Sequence, residues 1–548
     1  MRTSMLIRAS PPRLFRSETV SESLRVYLPA TLLSKALGLA RGMVLPWLMV
    51  PSEYGRLGVA LMVVNLLLPV CSAGLNDAVQ RYVPYHESRG SLRRFLRTAV
   101  PLVLAAGSVA ALILLLAAAP VGSFLFQALE ADSPATTGDK AAALTRVAVL
   151  TALALVVFFL IVSTLKGLRM YRAIGLIELS TNAGFAVLAV LVCLLGWNSA
   201  VAVIGSYAVT LAAGSLVAFL PLPGVIRWIE RHPARVVGPS GSAGSGPADG
   251  LNGPEPFGPT LATPAGIAAR LFRFSRWAAL AAVTWQVLLG YPLWHLHRVA
   301  GPEAAAVFAA ALLLAQGMLI VANSIVTVVE TAVTRTWESA GPAEADRHLL
   351  PAYKAATLVL LTGGCVVAVA APWIMRVLPS AYAAGAAILP RLILFYLLAG
   401  HLLFLGIHFH LIERTRHLFV PWLLGVAGHV ACSAWLVKPG AAATTAAAWS
   451  GIVGMSVALA AALALMVIER RPLDRGAYLL VPAGFALAAP RAWVPLVVIG
   501  LLWTAVVASD WILTAPQKAR LRQGLHEAAG LLKALLGRGR YNPDARAS

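Results

Sequence analysis

Apolar runs close to the ~20 residues that cross a bilayer as a helix recur along the whole chain, separated by short polar breaks. The pattern predicts fourteen spans, at about 25–48, 55–79, 98–119, 144–165, 173–195, 199–222, 270–296, 303–329, 355–377, 383–411, 418–436, 443–467, 476–490 and 492–509. Helices satisfy their own backbone hydrogen bonds in lipid, so the expected fold is an all-α polytopic membrane protein. Pro490 and Arg491 divide the last two runs, which read as a hairpin or a re-entrant pair. The longest break, VVGPSGSAGSGPADGLNGPEPFGPTLATPAG at 236–266, is dominated by Gly, Pro and Ser and reads as a flexible linker. It separates span six from span seven. The organisation that follows is a segment 1–24, a first lobe 25–222, a linker 223–269, a second lobe 270–467, a helix pair 476–509 and a tail 515–548.

Composition sharpens this picture. Of 548 residues, 59% are hydrophobic and 12% charged, against about 25% charged in soluble domains. The net charge of +21 would suit nucleic acid, but its distribution argues otherwise. With the N-terminus placed in the cytoplasm, 34 of the 44 Lys and Arg fall in the terminal segments and alternate loops on that side, as the positive-inside rule expects. Both termini are then cytoplasmic, and nucleic acid is excluded as a partner. Cys71, Cys193, Cys365 and Cys432 lie far apart inside apolar spans, which suits small buried side chains rather than disulfides or metal ligands. The N-terminus carries basic residues but no short apolar core with a cleavage site, so a cleaved leader is not expected.

The central linker invites a search for a repeat. MVPSEYGRLGVALMVVNLLLP (49–69) can be laid on RVAGPEAAAVFAAALLLAQG (298–317), pairing Glu53 with Glu303, and HESRG (86–90) then meets WESAG (337–341). Six spans separate the copies, so both would have the same orientation. Two such six-helix lobes in parallel repeat enclose a central cavity.

Within this frame the stretch SKALGLARG (34–42) stands out, because Lys35 and Arg41 interrupt an apolar span. Either charge in lipid at mid-membrane would cost at least ~2.5–3.5 kcal/mol. Six residues of helix turn through about 600° and rise about 9 Å, so the two heads point to different sides of one wall. They are either snorkelling or ion-paired structural residues, or a basic site for an anionic substrate, for which an arginine fork suits phosphate. Ser34, Gly38 and Gly42 at four-residue spacing allow close helix approach or local unwinding.

SKALGLARG with the following PSEYG loop resembles the first span and loop of the polysaccharide flippases of the multidrug/oligosaccharidyl-lipid/polysaccharide (MOP) exporter superfamily. QRYVPYHESRG (80–90) is similar to the segment after span two in that family, and STLKGLRMYRAIGLIE (163–178) to the one joining spans four and five. The resemblance covers roughly 25–470. It implies a flippase that moves a polyprenyl-diphosphate-linked oligosaccharide or polysaccharide precursor across the bacterial cytoplasmic membrane by alternating access. Its partners would be the lipid-linked glycan, membrane lipids, and the polymerase and glycosyltransferases of the same pathway. The lipid II flippases of the superfamily carry basic residues in a similar motif, which would map onto Lys35 and Arg41. An acidic residue follows the second basic one there; here it is Gly42, which counts against lipid II itself as the substrate.

Further candidates are Arg81 and Arg298 for substrate, and Asp77, Glu178, Glu330 and His295 for coupling or gating. Asp77 and Arg81 at i,i+4 would also neutralise one another. Glu178 has Arg169 and Arg172 within reach. Arg298, with His295 and His297, ends span seven near the outer mouth. Glu330 ends span eight much as Asp77 ends span two, and His401, His408 and His410 lie along span ten. No acidic cluster suggests a sodium site, and no metal or cofactor is expected. LRQGLHEAAGLLKALLGRG (521–539) reads as an amphipathic helix on the anionic inner leaflet. An antiporter for drugs or metabolites of the same superfamily is the main alternative, although it would favour acidic cavity residues. A membrane glycosyltransferase or polymerase would need a large external loop. The longest external loop, 120–143, offers only Glu130, Asp132 and Asp139, so no enzyme is expected.

Overall fold

The computed structural model describes residues 20–126, 134–231, 263–412, 416–471, 473–491, 493–519 and 522. The described chain is built from helices, with no strand, and ten of them are long and apolar enough to cross a membrane. The first lobe comprises α1 (Val20–Leu48), α2 (Pro51–Ser72), α3 (Leu75–Ser88), α4 (Leu92–Leu116), α5 (Ala118–Phe126), α6 (Pro134–Gly167), α7 (Tyr171–Leu194), α8 (Ala200–Phe219) and α9 (Leu222–Arg231). The second comprises α10 (Pro264–Ala340), α11 (Pro342–Arg376), α12 (Gly385–Leu411), α13 (Arg416–Leu436) and α14 (Ala443–Ile468). Two shorter apolar pieces follow, α15 (Arg475–Ala483) with a 3-10 continuation at Gly484–Ala488, and α16 (Trp493–Ala508).

Glycine and proline decide where helices turn. Within α10, Gly301 adopts φ 82° and ψ 175° just before Pro302, which breaks the helix. The two halves fold back on one another: Leu293 and Ala309, on either side of the break, both lie against Gly58 of α2. α10 is therefore two crossings. α3 continues beyond the α2 span after a bend where Ala73 and Gly74 turn left-handed, at φ 48° and 68°. A side chain at Gly74 would stand 2.7 Å from the Ser275 carbonyl, so this glycine is needed for both conformation and clearance.

The lobes repeat one another. In the first, the first helix packs on the fifth (α1 on α7), the second on the fourth (α2 on α6), and the sixth on the fourth and fifth (α8 on α6 and α7). In the second the same pairs recur as α10 on α13, α10 on α12, and α14 on α12 and α13. Pro51 and Pro302 open the equivalent second helices. α12 is the interior of its lobe, with 94% of its apolar span buried, which is why it is hydrophobic all round.

Some boundaries differ from the sequence pattern. Helix α1 begins at Val20 rather than near residue 25. Both edges of the 223–269 linker are helical, as α9 and the start of α10, while 232–262 lie outside the described residues. The 120–143 loop is largely helix, in α5 and α6; Glu130 and Asp132 lie outside the described residues, as does the 521–539 helix apart from Arg522.

Two polar fixtures lie at the end of the molecule where α1 begins, here the basal end. In the turn from α3 to α4, outside the apolar spans, Gly90 at φ 64° lets the Ser91 amide donate to the His86 carbonyl. The His86 ring stacks on Phe95 and bonds Ser91 Oγ at 2.9 Å. On α11, Lys354 is 1% exposed; its ammonium pairs with Asp474 and donates to the Ile512 carbonyl (2.8 Å) and Gln517 (3.3 Å). Asp474 also caps α15, accepting from the Ala477 amide, so one lysine ties the C-terminal pieces to the second lobe.

Replacing Lys354 by Met should destabilise the protein by about 2–3 kcal/mol. That is below the ~3–5 kcal/mol for a fully buried pair, because Asp474 is itself 36% exposed; thermal unfolding in detergent measures it. Burial, with the charges of Arg89 and Arg270, lowers the His86 imidazole to about 4 from its ordinary 6.5. The neutral ring is the folded form, so its contribution is full above about pH 6.5 and falls as the pH drops toward 4. His86→Gln should flatten the decline in melting temperature across that window.

Candidate functional site

The lobes meet tightly toward the distal end and part toward the basal one. A side chain at Gly55 would come within 2.0 Å of the Pro302 carbonyl, and one at Gly42 within 2.2 Å of the Leu313 side chain. The Tyr54 ring meets Tyr382, of the turn after α11, edge-on at 5.7 Å. One helical turn toward the basal end of the Gly42–Leu313 contact stand Gly38 on α1 and Gly317 on α10, and neither has an atom within 4 Å of an added Cβ. The two helices have separated there. On the other flank α2 and α3 stay against α10 down to Gly74 and Ser275. The result is a cleft between the lobes, closed distally and open basally. Of the three small residues expected to permit close approach, Gly42 does so. Gly38 borders open space, and α1 does not unwind.

Lys35 lies seven residues from Gly42, two turns of helix, and so on the same, cleft-facing side of α1; it is exposed. Arg41 points elsewhere, into the first lobe. Its guanidinium carbon sits 3.7 Å from the centre of the Phe185 ring, which stacks on Tyr207 at 4.4 Å. Tyr54, whose hydroxyl donates to the Gly42 carbonyl at 3.3 Å, completes the wall. The Arg41 Nη1 is buried without a hydrogen-bond acceptor, and Arg41 has no ion-pair partner among the described residues. Beside it, Asn182 donates to Ser34 Oγ at 2.7 Å, and Ser34 donates in turn to the Glu178 carbonyl at 3.4 Å. These bonds fix α1 on α7 and so aim Arg41.

Farther toward the basal end the cleft holds charges of both signs. Asp77, exposed on α3, lies within electrostatic reach of His410, Lys166 and Glu330. Glu330 of α10 accepts from His410 of α12 at 3.1 Å. The bend at Gly74 and the fold-back at Gly301 bring these residues from four helices to one place. Arg81 lies beside them in sequence and packs over Phe274 at 5.6 Å.

Other candidates go elsewhere. Arg298 lies over Phe124 and Trp294, at 5.3 and 5.4 Å, away from the aromatic box of Arg41. His297 bonds the Phe126 carbonyl at 3.1 Å, and His295 stacks on Tyr291 at 5.4 Å. These residues seam α10 to α5 and α13 rather than line the cleft. His401 and His408 are buried within the second lobe, His401 bonding Tyr353 at 2.7 Å. Only His410 of the α12 histidines reaches the cleft. Sequence reading missed the aromatic box, and missed Lys166 as a charge within reach of Asp77, because both are assembled from distant helices. Lys354 carried a signal, a lone lysine abutting an apolar run.

No family model matches the chain, and no curated protein does. Solved structures do. A MOP-superfamily transporter from Pyrococcus furiosus, described as having a binding pocket of reverse polarity, aligns with TM-score 0.58 and 14% identity over 87% of this chain and 99% of that one. A multidrug-resistance MATE transporter in an outward-facing conformation gives 0.59 and 14% over 84% and 98%. The lipid II flippase MurJ, in an inward closed conformation, gives 0.56 and 12% over 88% and 98%. At such identities the likeness is one of fold: the chain has the architecture of the MOP-superfamily transporters.

A cysteine placed at Asn323 or Thr327, both exposed on the basal half of α10, should react with a water-soluble maleimide at least tenfold faster than one at Ala309 or Leu313. Equal rates would show that the cleft does not open on this side.

Proposed function

We propose that this protein is a flippase for a polyprenyl-diphosphate-linked oligosaccharide or polysaccharide precursor in the bacterial cytoplasmic membrane, with its basal end cytoplasmic. The observation that carries this reading is Arg41. A guanidinium enclosed by Phe185, Tyr207 and Tyr54 has a buried donor without an acceptor and, among the described residues, no carboxylate to neutralise it. An uncompensated charge in such a place is costly unless an anion completes it, and a diphosphate has the oxygens for both arms of the fork.

The lipid-linked head enters the basal cleft past Lys35 and draws the Arg41 side chain from its pocket in the first lobe toward the cleft, while its chain remains in lipid. Rocking of the two lobes about the bound head then exposes it distally. Asp77, Glu330, His410 and Lys166 line the part of the cleft that must close in that movement, so they act as the gate, and a change in their protonation biases it. No bond is made or broken. Glycosyltransferases supply the substrate and a polymerase consumes it. Gly42 stands where lipid II flippases have an acid, and a side chain there would have to displace the end of the Leu313 side chain. This supports a head other than that of lipid II.

The acids of the cleft, Asp77 and Glu330, favour a second reading, a multidrug or metabolite antiporter with cationic substrates; a multidrug-resistance MATE transporter shares the fold.

Transport of a lipid-linked oligosaccharide into reconstituted vesicles separates the two. Arg41→Ala should reduce translocation at least tenfold, the loss of one or more charge-assisted hydrogen bonds worth ~1.5–3 kcal/mol each, with expression and folding intact. If Arg41→Ala transports normally while Asp77→Asn abolishes efflux of an organic cation, the protein is the antiporter.

A further inference from the structure

A second cavity, of about 810 Å³, lies outside the cleft, on the flank of the first lobe between α4, α6, α8 and α9. That is within the ~300–1,000 Å³ range of small-molecule sites. Its walls are apolar. Leu104, Leu216 and Phe219, which border it, are 36%, 61% and 52% exposed, so the cavity opens sideways onto the surface that faces lipid.

Its basal rim is cationic. Arg93 and Arg97 stand one turn apart at the start of α4, and Arg227 joins them from α9; no acid is among the described residues that line the cavity. α9 buries Leu222 and Val225 while Arg227 is exposed, the disposition of a helix lying at the membrane boundary. One further polar atom sits deeper. Ser215 of α8 is only 6% exposed, lines the cavity, and its hydroxyl has no hydrogen-bond partner. It lies four residues before the end of α8, about 6 Å further into the membrane.

We propose that this cavity binds an anionic glycerophospholipid. The phosphate and its acidic headgroup rest on Arg93, Arg97 and Arg227, an acyl chain fills the cavity, and Ser215 donates to an ester carbonyl. The ester of a glycerolipid lies just below its phosphate, at the depth where Ser215 waits without a partner. A polyprenyl phosphate has no ester there, which selects the phospholipid over the transported lipid as the occupant. The site shares no residue with the cleft, so the proposal stands independently of the flippase reading.

Native mass spectrometry of the full-length protein in detergent, titrated with phosphatidylglycerol, phosphatidylethanolamine or undecaprenyl phosphate, tests it. Phosphatidylglycerol should bind at least tenfold more tightly than phosphatidylethanolamine. Each arginine near an anionic headgroup contributes roughly fivefold in affinity, so replacing Arg93, Arg97 and Arg227 together by Gln should weaken phosphatidylglycerol about a hundredfold, and replacing them by Lys should keep most of the binding. Ser215→Ala should weaken phosphatidylglycerol several-fold and leave undecaprenyl phosphate unchanged. Equal binding of the two phospholipids, displacement of phosphatidylglycerol by undecaprenyl phosphate, or full affinity in a well-folded triple Gln variant would overturn the proposal. Should that variant aggregate, Ala212→Trp, which fills the cavity from α8, takes its place, and undiminished phosphatidylglycerol binding there is equally fatal.

Discussion

The architecture depends on how closely two backbones can approach in lipid, where apolar side chains gain nothing by leaving one hydrocarbon environment for another. Gly55 against the Pro302 carbonyl, Gly42 against Leu313 and Gly74 against Ser275 are among the places where the lobes approach closely. At Gly55 and Gly74 an added Cβ would run into backbone, whereas at Gly42 it would have to displace the Leu313 side chain. Because the Gly55 and Gly42 contacts lie distally and Gly38 and Gly317 face open space below them, this seam both joins the lobes and sets which end of the cleft is open. An alternating-access cycle requires the same glycine contacts to separate and reform, and small flat surfaces suit that better than interlocked side chains.

The second constraint is the cost of charge within the membrane, met in three ways. Lys354 is buried and fully occupied by Asp474 and two oxygens, and its work is structural. Lys35 and Asp77 stay exposed to the cleft, where water carries the cost. Arg41 has neither solution. Its aromatic walls supply cation–π stabilisation, worth ~2 kcal/mol when desolvated, but leave a donor unmet. That difference between occupied, wetted and waiting charges separates a binding residue from a fixture more sharply than residue type or position in a span.

The sequence by itself determined the helical membrane class, the two-lobe division and the place of SKALGLARG in the first helix, because hydrophobic length and the repeat are local and periodic properties. It also placed Glu330 and Asp77 at matching ends of their spans. Tertiary structure alone decided which charges share a space. Asp77 comes within electrostatic reach of Glu330, His410 and Lys166 only because Gly74 bends one span and Gly301 reverses another. Arg298, a peer of Arg41 on sequence grounds, is drawn into an aromatic seam instead. Rotation about a helix axis and the partner that fills each face are set by contacts between residues more than a hundred positions apart, such as Arg41 with Phe185, and no window along the chain contains both.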